Sequence, residues 1–267
     1  MIVPFLFLAT QPQEDPAPPG YHLAWSDEFN RDGAPDPANW HFEQGFVRNR
    51  ELQWYQPQNA TVRHGSLVIE GRRERVPNPN YDPASSDWQK NRQYADYTSA
   101  CVETRGLHEW LYGRFEVRAR ISAQPGLWPA IWTLGVSKPW PSNGEVDILE
   151  YYQNMILANT AYGVGGGTWH TVKTPYDQIA TDKDWDRKFH VWRMDWDENW
   201  IRLYLDDRLL NETDVSKTVN PDGFNPFHQP QFLLLNLAIG STGGDPSKTR
   251  FPTKYEIDYV RVYQQDG

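Results

Sequence analysis

A sandwich of two antiparallel β-sheets, folded as a β-jelly roll, is what this sequence predicts, and three observations predict it. Its clearest segments alternate apolar and polar residues with a period of two, the period of a strand buried on one face. No window of twelve or more residues carries a capped 3.6-residue period, so no substantial helix is expected. Turn residues recur about every ten positions without a strand–helix–strand rhythm, which argues against a parallel sheet. The 267 residues fit one such domain, because all-β sandwiches commonly run to roughly 200–250 residues.

Along the chain, residues 2–9 (IVPFLFLA) look like a shortened signal core that lacks the usual preceding basic residues. Residues 10–20 are Pro-rich and form a linker rather than a core. Residues 1–20 are therefore read as a leader remnant plus linker, and 21–267 as a single domain. Export, to the cell exterior or the periplasm, is the matching expectation. Residues 66–70 (SLVIE) are a short apolar strand. Residues 76–92 are a polar insertion with three prolines, too long for an ordinary connection and so either a binding loop or a surface excursion. In residues 113–121, Phe115, Val117, Ala119 and Ile121 face one way and Arg114, Glu116, Arg118 and Arg120 the other. Residues 136–143 form a second Pro-rich loop. Residues 200–205 (WIRLYL) alternate again, and Asp206, Asp207 and Arg208 read as a hairpin turn into Leu209 and Leu210. Residues 231–239 and 255–263 complete the strand set.

Composition removes several function classes. Lys and Arg number 26 against 35 Asp and Glu, a formal charge of −9, which is the wrong sign for a nucleic-acid footprint. No apolar run reaches the ~18 residues of a membrane-spanning helix. Cys101 is the only cysteine, so neither an intrachain disulfide nor a multi-cysteine metal cluster can form. Thirteen Trp, fourteen Tyr and eleven Phe make up 14% of the chain; packing in a sandwich core accounts for many of them, and others are available to a ligand. Flat rings with a polar edge suit sugars, whose C–H faces are apolar and whose rims carry hydroxyls.

The sharpest feature is Gly144-Glu145-Val146-Asp147-Ile148-Leu149-Glu150-Tyr151-Tyr152. On a strand Glu145 and Asp147 share a face, and Glu150 falls out of phase. One extra residue at Ile148–Leu149 would restore the phase and put all three acids on one face. Three neighbouring carboxylates repel, which drives their pKa values apart and suits a division of acid and base roles. Just upstream, Trp128 and Trp132 stand four residues apart and share a face, as an aromatic platform would require.

These residues resemble glycoside hydrolase family 16 in its bulged Glu-x-Asp-x-x-Glu form. The likeness runs over nearly all of 21–264. It includes Trp25-Ser26-Asp27-Glu28-Phe29, Asn49-Arg50-Glu51-Leu52-Gln53-Trp54-Tyr55, Tyr112-Gly113-Arg114-Phe115-Glu116, Trp128-Pro129-Ala130-Ile131-Trp132, Leu235 to Gly240 and Ile257 to Tyr263. The resemblance implies a concanavalin A-like jelly roll with a concave substrate cleft, and retaining hydrolysis inside a β-linked chain; a monomer is the expected state. It makes Glu145 the nucleophile, Glu150 the general acid/base and Asp147 the residue that orients the nucleophile. It assigns substrate contacts to Asn49, Glu51, Trp128, Trp132, Trp140 and Asn236, with a surface salt bridge as the other reading of Glu51. It implies no cofactor for catalysis. It does allow a structural Ca²⁺ held by Glu28 and Asp258, whose oxygen ligands suit that ion.

A β-1,3 or mixed-linkage β-glucan is the substrate this likeness favours. One departure keeps others open: Tyr151 follows Glu150 where laminarinase-like members often carry His. Endo-β-galactosidases on agar, porphyran, keratan or mucin-type chains share the pattern, and Arg48, Arg92 or Lys138 would then meet a sulfate. A transglycosylase and a non-catalytic lectin-like module are further readings, since a fold does not fix a function. Against the binding module stands the acidic trio, for which pure sugar binding has no use.

Overall fold

The computed structural model describes residues 17–267, so most of the expected leader remnant, residues 1–16, lies outside the described residues. Two antiparallel sheets form its framework. The outer, convex sheet runs in the order Arg208–Asp214, Trp200–Leu205, His190–Trp196, Gly113–Arg120, Thr253–Gln265, Ser66–Gly71 and Ala60–Arg63, with Tyr21–Asp27 also paired to Thr253–Gln265. The inner, concave sheet runs Thr168–Pro175, Met155–Tyr162, Glu145–Tyr152, Leu127–Gly135, Gln231–Ile239, Cys101–Glu103 and His41–Phe42. Helical structure among the described residues is confined to three-residue 3-10 turns, and no helix of theirs is long and apolar enough to cross a membrane.

The period-two segments form strands for the expected reason. Phe115, Val117 and Ala119 of Gly113–Arg120 are buried, with Ile121 just beyond the strand end, while the arginines between them reach outward. Trp200–Leu205 buries Ile201, Leu203 and Leu205 and turns at Asp206, whose φ of 51° meets the demand of a tight hairpin. Gln231–Ile239 is buried on both faces, but its two faces do different work. Leu233, Leu235, Leu237 and Ile239 join the core between the sheets. Phe232 and Leu234 belong to a smaller cluster, with Tyr55, Cys101, Ala130, Trp132 and Leu134, on the concave side.

The insertion after residue 75 closes on itself through pairing of Val76–Pro77 with Tyr94–Ala95. Asn78 Nδ2 donates to the carbonyls of Gln89 and Arg92 at 2.8 and 2.9 Å. The insertion lies against the segment 45–54: Gln89 Nε2 donates to the carbonyls of Phe46 and Val47, and Arg92 Nη2 to that of Glu51 at 2.8 Å. The Arg92 guanidinium stacks 3.6 Å over the Phe46 ring. The excursion is thus a brace for its neighbour and not itself a wall of the cleft described next.

Candidate active site

The Glu145–Tyr152 strand sits between Leu127–Gly135 and Met155–Tyr162. Leu134 faces Glu145, Trp132 faces Asp147, and Ala130 faces Glu150. The register slips between Ile131 and Trp132 on one side and between Asp147 and Glu150 on the other. The slip leaves Ile148 as the extra residue of a β-bulge, and the bulge turns Glu150 back onto the face of Glu145 and Asp147. All three acids line an open cleft of about 630 Å³. Val146, Ile148, Leu149 and Tyr151 are buried in the core behind them.

Each acid has a donor aimed at it. Trp128 Nε1 donates to Glu150 Oε1 at 2.7 Å. Asn159 Nδ2, on the adjacent strand, donates to Glu150 Oε2 at 2.6 Å and to Asp147 Oδ2 at 2.9 Å. Trp140 Nε1 donates to Glu145 Oε2. Burial, and then the charge of Glu145, push the Glu150 carboxyl up to about 7, against the opposing hydrogen bonds from Trp128 and Asn159. Burial also raises Glu145, offset by hydrogen bonds from Asp147 and Trp140. Asp147 is pushed well above the usual carboxylate range by burial and by the charges of Glu150 and Glu145. The hydrogen bond between Asp147 and Glu145 raises the first and lowers the second, so a proton shared by that pair favours Asp147.

On one flank the remaining expected residues form a single interlocked chain. Trp132 is 8% exposed, its Nε1 donates to Asn236 Oδ1 at 2.7 Å, and Asn236 Nδ2 donates to Tyr55 Oη at 3.0 Å. Glu51 receives Gln53 Nε2 at 2.6 Å, Asn49 Nδ2 at 3.3 Å and Tyr55 Oη at 3.4 Å. The surface salt bridge considered for Glu51 is thereby corrected. The residue is 3% exposed, and its carboxylate is satisfied by two amides and a phenol. The aromatic platform is also split. Trp128 is partly open and stands edge-on to Tyr152 with ring centroids 5.4 Å apart. Trp132 is packed into the concave cluster, with Arg48 stacked over it at 4.9 Å.

The other flank holds Trp140, on the Pro-rich loop, and Trp169, at the start of Thr168–Pro175. They are 48% and 45% exposed, and their ring centroids are 6.4 Å apart. Thr171 and Lys173 continue the cleft wall below Trp169. Sequence reasoning missed Asn159, Tyr152, Trp169, Thr171 and Lys173. The alternation Trp169-Thr171-Lys173 was the available signal, hidden because this edge strand is largely exposed on both faces.

Glu28 and Asp258, expected to share a cation, each hold a guanidinium instead. Arg261 forks onto both Glu28 oxygens at 2.9 Å, and Arg118 pairs with Asp258. No group of three or more His, Cys, Asp or Glu side chains that could hold a metal occurs among the described residues. As arranged, this donor set does not fit Ca²⁺, because each carboxylate already has a fixed positive partner. Of the three residues weighed for a sulfate, Arg48 lines the cleft. Arg92 is spent on bracing Glu51, and Lys138 pairs with Asp222.

Comparison with known proteins agrees with this geometry. The family model "Glycosyl hydrolases family 16" matches residues 52–261. A beta-glucanase of Rhodothermus marinus is 35% identical over 92% of this chain and 86% of its own. Among solved structures, one described under endo-acting O-glycanases that initiate mucin breakdown, expressed by members of the human gut microbiota, superposes with a TM-score of 0.84. It has 34% identity and covers 93% of this chain and 92% of its own. The laminarinase catalytic domain of Thermotoga maritima superposes with a TM-score of 0.77 at 33% identity, covering 92% and 99%.

Proposed function

The chain belongs to glycosyl hydrolases family 16, and on that premise we propose that it is a retaining endo-β-glycosidase cleaving internal linkages of a β-1,3 or mixed-linkage β-glucan. One observation carries the reading: the bulge at Ile148 turns Glu145, Asp147 and Glu150 into one cleft, each carboxyl met by its own hydrogen-bond donor. Glu145, ionised, attacks the anomeric carbon. Glu150, protonated near neutral pH, gives its proton to the departing glycosidic oxygen, so the C–O bond breaks as the glycosyl–Glu145 ester forms. Glu150, now ionised, takes a proton from water, which displaces Glu145 and restores the original configuration. Asp147 holds a proton toward Glu145 and so favours its anionic form before attack. The substrate assignment rests on the glucanases and laminarinases among the relatives.

A second substrate reading, a mucin-type O-glycan chain, is favoured by the higher structural similarity, 0.84 against 0.77 at nearly equal identity. Tyr151 after the last acid, where laminarinase-like members often carry His, points the same way. The test is digestion of a neutral panel (β-1,3-glucan, mixed-linkage glucan, agarose, keratan-type and mucin-type chains), read by product length and by the NMR configuration of the first product. Short oligosaccharides with retained configuration from a glucan are expected. Activity on galactose-containing chains alone moves the assignment to the second reading. Binding without cleavage of any chain overturns both.

A further inference from the structure

We propose that Trp169, Thr171 and Lys173 form a sugar subsite that selects chains bearing an anionic substituent, a sulfate or a carboxylate, on the Trp169 side of the scissile bond. The inference rests on the enzyme reading above and deepens it. Register places the three residues. Glu145 pairs with Ala161, which pairs with Trp169; Asp147 pairs with Asn159, which pairs with Thr171; Glu150 pairs with Leu157, which pairs with Lys173. Each acid thus has its own rung, ending on the edge strand two strands away, roughly 10 Å along the sheet. All three end residues face the cleft.

Two features mark this edge as built for a ligand. Trp169 keeps nearly half its surface open in a position where packing does not require it, while its Nε1 is held by the Gly166 carbonyl at 3.1 Å. The ring is tethered at its nitrogen, flanked by Trp140 and still nearly half open, which leaves surface for a sugar to stack on. Lys173 is the other feature. Its ammonium makes no ion pair among the described residues, in a chain with nine more acidic than basic charges. Other cations facing the cleft are engaged: Arg48 with Glu43, and Arg105 with Glu103 and the ring of Phe232. A cation at the end of the Glu150 rung meets a charged group on a sugar beyond the acid/base, and it does so as a point charge that accepts sulfate and carboxylate alike.

The test uses whichever neutral chain the wild-type protein cleaves, as oligosaccharides in three forms: unmodified, partially sulfated, and oxidised at primary hydroxyls to carboxylates. The readout is the ratio of kcat/KM on each charged form to that on the neutral one, so a general loss of activity cancels. Wild-type protein is expected to favour at least one charged form by about three- to fivefold, the range of an exposed ion pair, with the preference shrinking in high salt. Lys173→Ala should bring the ratio to one and Lys173→Glu below one, with Trp169→Ala raising KM on all forms. The favoured form identifies the anion. A wild-type ratio of one, or a ratio unchanged in K173E, overturns the subsite while leaving the enzyme reading intact. Failure to cleave any neutral chain overturns the enzyme reading, and the subsite with it.

Discussion

The two flanks of the cleft are built on opposite principles. On the Trp132 side the polar groups hand hydrogen bonds along a closed chain, from Trp132 through Asn236 and Tyr55 to Glu51. On the Trp169 side two indoles lie half exposed and a lysine has no ion pair among the described residues. A buried polar chain is stable only when complete, because each orphaned member bears its full desolvation penalty. Exposed rings carry no such obligation. One flank is therefore part of the fold and the other is free for ligand, although both face the same three acids.

The largest expected effect calibrates both flanks. Glu145→Ala should lower kcat by several orders of magnitude while leaving binding nearly intact, because the flanks position substrate and the acids perform the chemistry. Azide should restore turnover in that variant, as a glycosyl azide of opposite configuration, and not in Glu150→Ala. Rescue with that stereochemistry at Glu150 would reverse the two roles.

Next in size is the difference in stability between the flanks. Trp132→Ala should destabilise the protein by about 3–5 kcal/mol, through a cavity and a stranded Asn236. Trp169→Ala should stay within about 0.5 kcal/mol. Urea unfolding of the two variants decides, and equal losses would erase the distinction between the flanks.

The acids themselves should weaken the fold at neutral pH. Glu150 titrates near 7 in the folded protein and near the ordinary value of 4.5 when unfolded. Below about 4.5 both states hold the proton and Glu150 adds nothing. As pH rises toward 7 the unfolded state ionises first, so stability falls and stays lower above 7. Glu150→Gln should accordingly raise stability by roughly 2–3 kcal/mol at pH 8 and by little at pH 4. An equal effect at both pH values would show that Glu150 is not held protonated. The same value sets the basic limb of kcat/KM near pH 7, where the general acid loses its proton.

The smallest effect compares the two indole donors. Trp128→Phe removes a hydrogen bond that favours ionised Glu150, so the basic limb should move to higher pH. Trp140→Phe removes the one to Glu145 and should move the acidic limb to higher pH. The second displacement should be the lesser, because water replaces the lost donor at a half-exposed site. A larger shift from Trp140 would mean that the open flank closes around substrate.

Much of this was legible in the sequence. The acid strand could be read because a bulge is the only local device that returns Glu150 to the face of Glu145. Trp128 and Trp132 could be assigned one face because their strand is regular against Gln231–Ile239. What could not be read was depth. Trp132 and Asn236 are covered by Val47, Arg48 and Tyr55, from a loop and a three-residue strand too short for periodicity to describe. The partners of Glu28 and Asp258 were hidden for a related reason. Arg261 lies 233 residues beyond Glu28, and Arg118 lies 140 before Asp258, separations across which only strand pairing brings side chains together. Asn159 stood in plain view on the neighbouring strand, but only register reveals that one amide serves two acids.

The excursion over residues 76–95 separates two kinds of change. It touches none of the acids, yet it holds the backbone of Phe46, Val47 and Glu51 through Gln89 and Arg92. Lengthening, shortening or rewriting it would re-aim Arg48, Asn49 and Glu51 without disturbing the bulged strand. A lineage carrying this architecture can alter which chain it grips by editing a surface segment remote from bond breaking. The reaction would stay constant while its substrates diverge.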